Sequence, residues 1–326
     1  MERSNRESDL MRAYIARRFI VMIPTAVLVA FITFSLVRLV PGDVLAARMD
    51  ESGVSTPQAV ALMRQELGLD RPFFVQFGHW MWGIVRGDLG KSLYSETPVI
   101  SEIKVRLPVS IELGLISFGI TISIATLIGV LSAIRQDTII DYMTRVTAIG
   151  FVSVPNFWIA TIVILLPAIW WAYSAPLGYV SPFEDPWGNL RQFLPPGLIL
   201  GLGSVGATMR LTRSSLLEVL RQDYIRTAQA KGLAERTIIR RHALKNALIP
   251  VVTLWGSYFS NVVGGSVIIE NVYGLPGMGQ MLVQSIVLRD YTQVQALVLI
   301  MAVVTLLLNL AVDLIYGLLD PRIQYK

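Results

Sequence analysis

The chain has 326 residues, 53% of them hydrophobic and only 16% charged, with a formal net charge of +5 and a mean hydropathy of +0.57. Soluble domains carry about a quarter of their residues as charge, so this composition belongs to a protein whose main solvent is lipid and excludes an ordinary cytosolic enzyme or a disordered scaffold. Cysteine is absent and the two histidines, His79 and His242, lie far apart, which argues against disulfides, thiolate sites, a cysteine nucleophile and a histidine-based metal site or triad.

A helix needs about 20 apolar residues to cross a bilayer. The first such run, residues 19–37, follows Arg17 and Arg18. At 19 residues it is longer than the 7 to 15 of a signal peptide's apolar core, so it is predicted to remain as a span although Val44-Leu45-Ala46 offers a cleavage pattern. Residues 38–108 then form an outer segment. Thr56-Pro57 reads as the cap and first residue of a short helix that ends at Gly68. Phe73, Phe74, Phe77, Trp80, Met81 and Trp82 follow at near-helical spacing, as in an amphipathic helix on the outer leaflet or the protein's own rim. Such a segment serves either as a surface cap or as a docking site for a partner. Gly90-Lys91-Ser92 looks like the end of a phosphate-binding loop, but that loop needs glycine where Val85 stands, and no nucleotide is expected there.

Residues 109–318 are predicted as a five-helix core with spans at 109–134, 146–171, 194–209, 247–269 and 294–318. The loop between the third and fourth spans of the chain carries Pro176, Pro182, Pro186 and Gly178 and should be irregular. Gly197, Gly201, Gly203 and Gly206 lower the helix propensity of the 194–209 run but permit close backbone packing. In the 247–269 run, Thr253, Ser257, Asn261 and Gly264 share one helical face. Small and polar residues on such a face act as packing glue or line a translocation path, and both hold if the helix lies at a seam between two subunits. Glu112 and Asp313 lie near the ends of their spans. They read as structural anchors rather than a proton relay, since single acids near opposite faces make no relay.

With residues 1–18, 135–145, 210–246 and 319–326 inside, the inner pieces hold 18 of the 28 lysines and arginines. The positive-inside rule then predicts a multi-pass protein of the cell (inner) membrane with both termini in the cytoplasm. The basic charge therefore records orientation and does not imply nucleic acid.

The most informative stretch is cytoplasmic. A helix over Asp223-Tyr224-Ile225-Arg226-Thr227-Ala228-Gln229-Ala230-Lys231 meets Gly232, followed by Leu233-Ala234-Glu235-Arg236 and a second, strongly basic helix running to Asn246. Glycine permits the sharp turn, and a helix–glycine–helix elbow between two spans is a rigid knob that can transmit a push. Through Arg226-Thr227-Ala228, three residues and Gly232, this stretch resembles the EAA loop of ABC importer permeases. Arg226 stands where the broad family often has Glu, and Lys245 where many members have Pro. Both departures, with Asn246-Ala247-Leu248-Ile249-Pro250, look like the oligopeptide/dipeptide/nickel branch. So do Phe34-Ser35-Leu36-Val37-Arg38-Leu39-Val40-Pro41-Gly42-Asp43, Leu67-Gly68-Leu69-Asp70-Arg71-Pro72 and Gly87-Asp88-Leu89-Gly90-Lys91-Ser92. Glu270-Asn271-Val272-Tyr273-Gly274-Leu275-Pro276-Gly277-Met278-Gly279 and Asp313-Leu314-Ile315-Tyr316-Gly317-Leu318-Leu319-Asp320-Pro321-Arg322 extend the likeness to most of the chain, and it is to the first of that branch's two permease types.

The resemblance implies an all-α, six-span type I importer domain paired with a homologous second permease, two cytoplasmic ATPase subunits and an extracytoplasmic solute-binding protein. It also implies that Asp223, Arg226, Ala228, Lys231, Gly232, Leu233 and Glu235 form the ATPase contact. ATP and Mg would be bound and hydrolysed by the partner subunits, with no cofactor, metal or catalytic residue in this chain. Peptides, nickel chelates, opines and oligosaccharides are the solute classes of that branch. The rival is an ion- or proton-coupled carrier, which needs coupling-ion groups at mid-membrane. An intramembrane hydrolase needs paired aspartates, a His-Glu-x-x-His motif or a Ser-His pair, and the spans contain none.

Overall fold

The computed structural model describes residues 2–39, 58, 61, 64, 65, 68, 70–174, 176 and 178–319, while the side chains of residues 2–19, 39, 259–265, 313 and 315–319 lie outside that set. Among the described residues the chain is helical, with no strand beyond an isolated bridge between Lys91 and Pro98. The helices are α1 (Glu2–Leu39), α2 (Phe73–Val85), α3 (Val99–Ile134), α4 (Ile139–Ser153), α5 (Asn156–Trp171) and α6 (Pro186–Leu220). They are followed by α7 (Asp223–Ala230), α8 (Glu235–Thr237), α9 (Leu244–Ala247), α10 (Ile249–Tyr273), α11 (Met278–Val287) and α12 (Tyr291–Leu319).

Three of these are long and apolar enough to cross a membrane, over Ile20–Arg38, Val99–Ile134 and Tyr291–Val312. The expected span at 146–171 is instead two helices, α4 and α5, bent by 88°. Pro155 is the cause: it disfavours helical backbone at the residue before it, and Val154 is extended at φ −105°, ψ 127°. Counting the bent pair as one span gives four. The expected span at 194–209 lies within α6, and that at 247–269 begins at the last residue of α9 and otherwise falls on α10 from Ile249.

The chain divides into two compact units, one of Met1–Arg18, Leu107–Gln280 and Val304–Lys326, the other of Phe19–Arg106 and Met281–Val303. In the first, α6 is the central rod. Pro186 opens it, and the Asp185 carboxylate caps it by accepting from the Gly188 N–H at 2.9 Å. Along its length α6 enters three apolar clusters in turn. Phe193, Ile199 and Leu200 pack with Val109, Leu113 and Ile269; Val205 and Met209 with Ala125 and Ala148; Leu216 with Ala133 and Ile225. The glycines of α6 serve close approach: a Cβ on Gly201 would stand 2.8 Å from the Ser117 carbonyl oxygen, and one on Gly206 2.6 Å from that of Ala148. The residues that weaken the helix intrinsically are thus those that let it pack, backbone against backbone.

Glu112 is tied into the same unit, accepting from Asn189 Nδ2 at 2.6 Å and from the Tyr179 hydroxyl at 2.8 Å. Burial, and then the neighbouring carboxylate, push the Tyr179 phenol up to about 12. This acid fastens the loop after α5 to α3, an anchoring role. The side chain of Asp313 lies outside the described residues.

In the second unit α2 lays Phe73 and Phe77 edge-on against Phe31 and Phe34 of α1, with centroids 5.3–5.8 Å apart. Arg38 stacks 3.4 Å over the Phe34 ring and donates to Gln76. Most of the short helix expected before Gly68 lies outside the described residues. Gly68 itself has φ +64° and donates to the Gln65 carbonyl, as a helix stop does. The Gly90-Lys91-Ser92 trio closes a turn in which the buried Ser92 hydroxyl donates to the Asp290 carboxylate, a group that repels phosphate.

Candidate functional site

The elbow is built on α6. After Leu220 two residues turn the chain into α7, whose Ile225 and Ala228 are buried against Ala133 and Leu216. Helix α7 then ends in a Schellman arrangement: Gly232 N–H donates to the Gln229 carbonyl at 2.9 Å and Leu233 N–H to that of Ala228 at 3.3 Å. This geometry requires a left-handed residue, and Gly232 supplies it at φ +75°.

The return leg is not a plain α-helix. Glu235–Thr237 leads into a π-helical stretch, Ile238–Ala243, before α9. The sequence gives the reason: the small or apolar residues that must face the core are Ile238, Ala243 and Ala247, spaced by five and then four. A turn with i→i+5 bonding keeps residues five apart on one face. The two legs are pinned together by Tyr224, whose hydroxyl accepts from Asn246 Nδ2 at 2.9 Å and donates to the His242 carbonyl at 3.3 Å.

Asp223, Arg226, Lys231, Gly232, Leu233 and Glu235 are all exposed and lie together on or beside the bend. The Asp223–Arg226 pair, 3.3 Å apart and open to solvent, adds little stability. Ala228 is different. Expected among the contact residues, it is only 8% exposed and belongs to the core beneath the elbow. Its small side chain sets how closely α7 lies on α3 and α6, and it does not face outward.

A further element escaped the reading of the sequence. Asp141, at the start of α4, is fully buried. Its carboxylate accepts from Arg213 Nε at 2.9 Å and Nη2 at 2.8 Å, from the Ser132 hydroxyl and from the Asp137 N–H at 3.1 Å. Chiefly through the Arg213 hydrogen bonds, and against the cost of burial, the carboxyl is held well below the usual carboxylate range. One acid thus joins α3, α4 and α6 at the end that carries the elbow. Its only signal in the sequence is a solitary acid in the first turn of a helix.

On α10, Thr253 and Ser257 are exposed, whereas Tyr258 turns inward and hydrogen-bonds Ser117 Oγ at 2.7 Å and the Leu200 carbonyl at 3.2 Å. The side chain of Asn261 and the surroundings of Gly264 lie outside the described residues. Glu270, at the far end of α10, is fully buried and accepts from the Ser110 hydroxyl and from the N–H groups of Gly279 and Gln280, which caps the start of α11. Among the described residues no cluster of His, Cys, Asp and Glu suits a metal ion.

Residues 125–325, which include the elbow and α10, match the model for the binding-protein-dependent transport system inner membrane component, and residues 11–114 match the model for the N-terminal region of such membrane components. A Brucella melitensis protein named as a peptide transport system permease is 40% identical over 316 residues, covering 97% of this chain and all of that protein. The dipeptide transport system permease protein DppB of Escherichia coli K12 is 36% identical over 339 residues, with the same coverage. Among solved structures, the inward-facing MetNI methionine ABC transporter superposes with a TM-score of 0.55 at 18% identity, over 67% of this chain and 96% of that one; at this identity the likeness is one of fold.

Proposed function

The chain belongs to the family of inner membrane components of binding-protein-dependent transport systems, and from that premise we propose that it is a permease subunit that takes up peptides with energy supplied by separate ATPase subunits. The observation that carries the reading is the elbow: a left-handed glycine at a rigid bend, with a rim of exposed charge, inside the region that matches the family. Peptide as the solute class rests on the names of relatives that align over their whole length.

In this reading the chain crosses the membrane six times, with both termini in the cytoplasm, beside a homologous second permease. Asp223, Arg226, Lys231, Gly232, Leu233 and Glu235 meet a cytoplasmic ATPase. When two such ATPases bind ATP and Mg and close on each other, the elbows approach and the spans they carry rotate to open the outer side. Thr253 and Ser257, with Asn261 and Gly264, line the path at the seam between permeases. A solute-binding protein delivers the peptide from outside. The chain itself breaks no bond.

Co-expression with the proposed partner subunits tests the function. Two ATPase subunits should purify with the two permeases, and proteoliposomes holding the complex and the binding protein should accumulate peptide only with ATP. Peptide uptake driven by an ion gradient without ATPase subunits would overturn the reading.

Orientation has its own test, because the chain lacks cysteine. Single cysteines at Ser55 and at the exposed Ser214, treated in intact wall-stripped cells with an impermeant maleimide, should label at position 55 and not at 214. The reverse pattern would invert the topology.

A further inference from the structure

Beside the elbow, on the flank formed by the end of α3 and the return leg, lies a cleft of about 460 Å³. Its walls are apolar: Val130, Ile134, Ile239 and Leu244. Its mouth is basic, with Arg135, Arg236 and Arg240 against a single acid, Glu235. Among the described residues none of the three arginines makes an ion pair or a side-chain hydrogen bond, although Asp141 gathers Arg145 and Arg213 nearby. Three unpaired guanidiniums around an apolar slot suit a ligand that is anionic at one end and hydrocarbon at the other.

The surface leading into the cleft has the second half of that character. Leu127, Leu131 and Ile134 recur at spacings of four and three along α3 and are 71%, 42% and 36% exposed. They form an apolar stripe on a membrane-spanning helix that descends to Arg135.

We propose that this cleft binds an anionic phospholipid of the inner leaflet, its phosphate held by Arg135, Arg236 and Arg240 and an acyl chain laid along Leu127, Leu131 and Ile134. Basic pockets at the cytoplasmic ends of membrane helices have the right charge and depth for such headgroups. The assignment to the inner leaflet rests on the orientation proposed above. Bound there, the lipid braces the return leg against α3 and ties the geometry of the elbow to membrane composition.

The test uses the assembled transporter, purified in mild detergent, with lipid retention followed by native mass spectrometry. Phosphatidylglycerol should be retained and phosphatidylcholine should not. Arg135→Gln with Arg240→Gln should weaken phosphatidylglycerol retention roughly 30-fold, about 2 kcal/mol at 1.4 kcal/mol per tenfold. Both arginines are exposed, and an unchanged melting temperature would show the variant folded. If it does not fold, the single Arg240→Gln, expected to weaken retention about fivefold, decides in its place. Arg226→Gln, equally basic but outside the cleft, should leave retention unchanged. Equal retention in the double variant and the wild type, equal retention of both lipids, or displacement by millimolar inorganic phosphate alone would each overturn the proposal. Loss of an ATPase subunit from the double variant with lipid retention intact would make the cleft a protein contact instead.

Discussion

Replacing Gly232 by valine is expected to uncouple the transporter while leaving its membrane helices in place. A Cβ added at Gly232 would meet nothing within 4 Å, so steric overlap is not the issue. The obstacle is the backbone at φ +75°, where a β-branched residue costs on the order of 1–2 kcal/mol. The Schellman bonds to Gln229 and Ala228 depend on that conformation. If the bend opens, Leu233 and Glu235 leave the position that Asp223 and Arg226 share with them. Solute-stimulated ATP hydrolysis and uptake in the reconstituted complex should fall by about tenfold or more, the effect of roughly 1.4 kcal/mol at the coupling contact. Gly232→Asn is the discriminating control, because asparagine tolerates the left-handed region. Valine at wild-type activity would remove the bend from the mechanism. If asparagine fails as badly as valine, bulk at the surface matters and backbone conformation does not.

The second large effect is expected at Asp141. Removing Arg213 leaves a buried carboxylate with its strongest partner gone. Severing such a pair costs about 3 kcal/mol, the lower end of the usual range, because the Arg213 side chain keeps 18% of its surface exposed. The melting temperature of Arg213→Ala should fall accordingly. Asp141→Asn combined with Arg213→Gln, which removes both charges but keeps hydrogen-bonding groups, should recover at least half of the loss. The pH dependence has a defined sign. The folded-state pKa of Asp141 is depressed, so the stabilisation is fully present above the unfolded value of about 3.9 and is lost as pH falls below it toward the folded value. Asp141→Asn should flatten this acid limb of the stability curve. An unchanged melting temperature in Arg213→Ala would show that the junction of α3, α4 and α6 does not rest on this pair.

The contrast between these two sites shows what the sequence carries. Gly232 is legible because its signal is local: a helix former's run, a glycine and a second run. The Asp141–Arg213 pair is illegible because its partners are 72 residues apart and neither sits in a pattern. A resemblance alone puts Ala228 at the contact, and only the packing of α7 on Ala133 and Leu216 shows that it faces inward. The break at Pro155 lay between the two cases. A hydropathy window sums across a proline and reports one span, whereas the proline's effect on Val154 reports two. The aromatic run of α2 was legible as a helix, but not the choice of Phe73 and Phe77 over Phe74 as the residues that meet α1.

The π-helical stretch Ile238–Ala243 also fixes the rotational phase of the elbow about the axis of the helices that follow it. Each residue of an α-helix advances about 100°, and a π turn accommodates one residue more than the α-helical count. Deleting a single residue within 238–243 would let the stretch relax to an α-helix that makes the same turn with one residue fewer, leaving Glu235 and Leu233 close to their present phase, whereas a second deletion would find no wide turn to absorb it and would swing them by roughly that angle. The stretch therefore works as a slip joint, taking up one residue without turning what lies on either side of it.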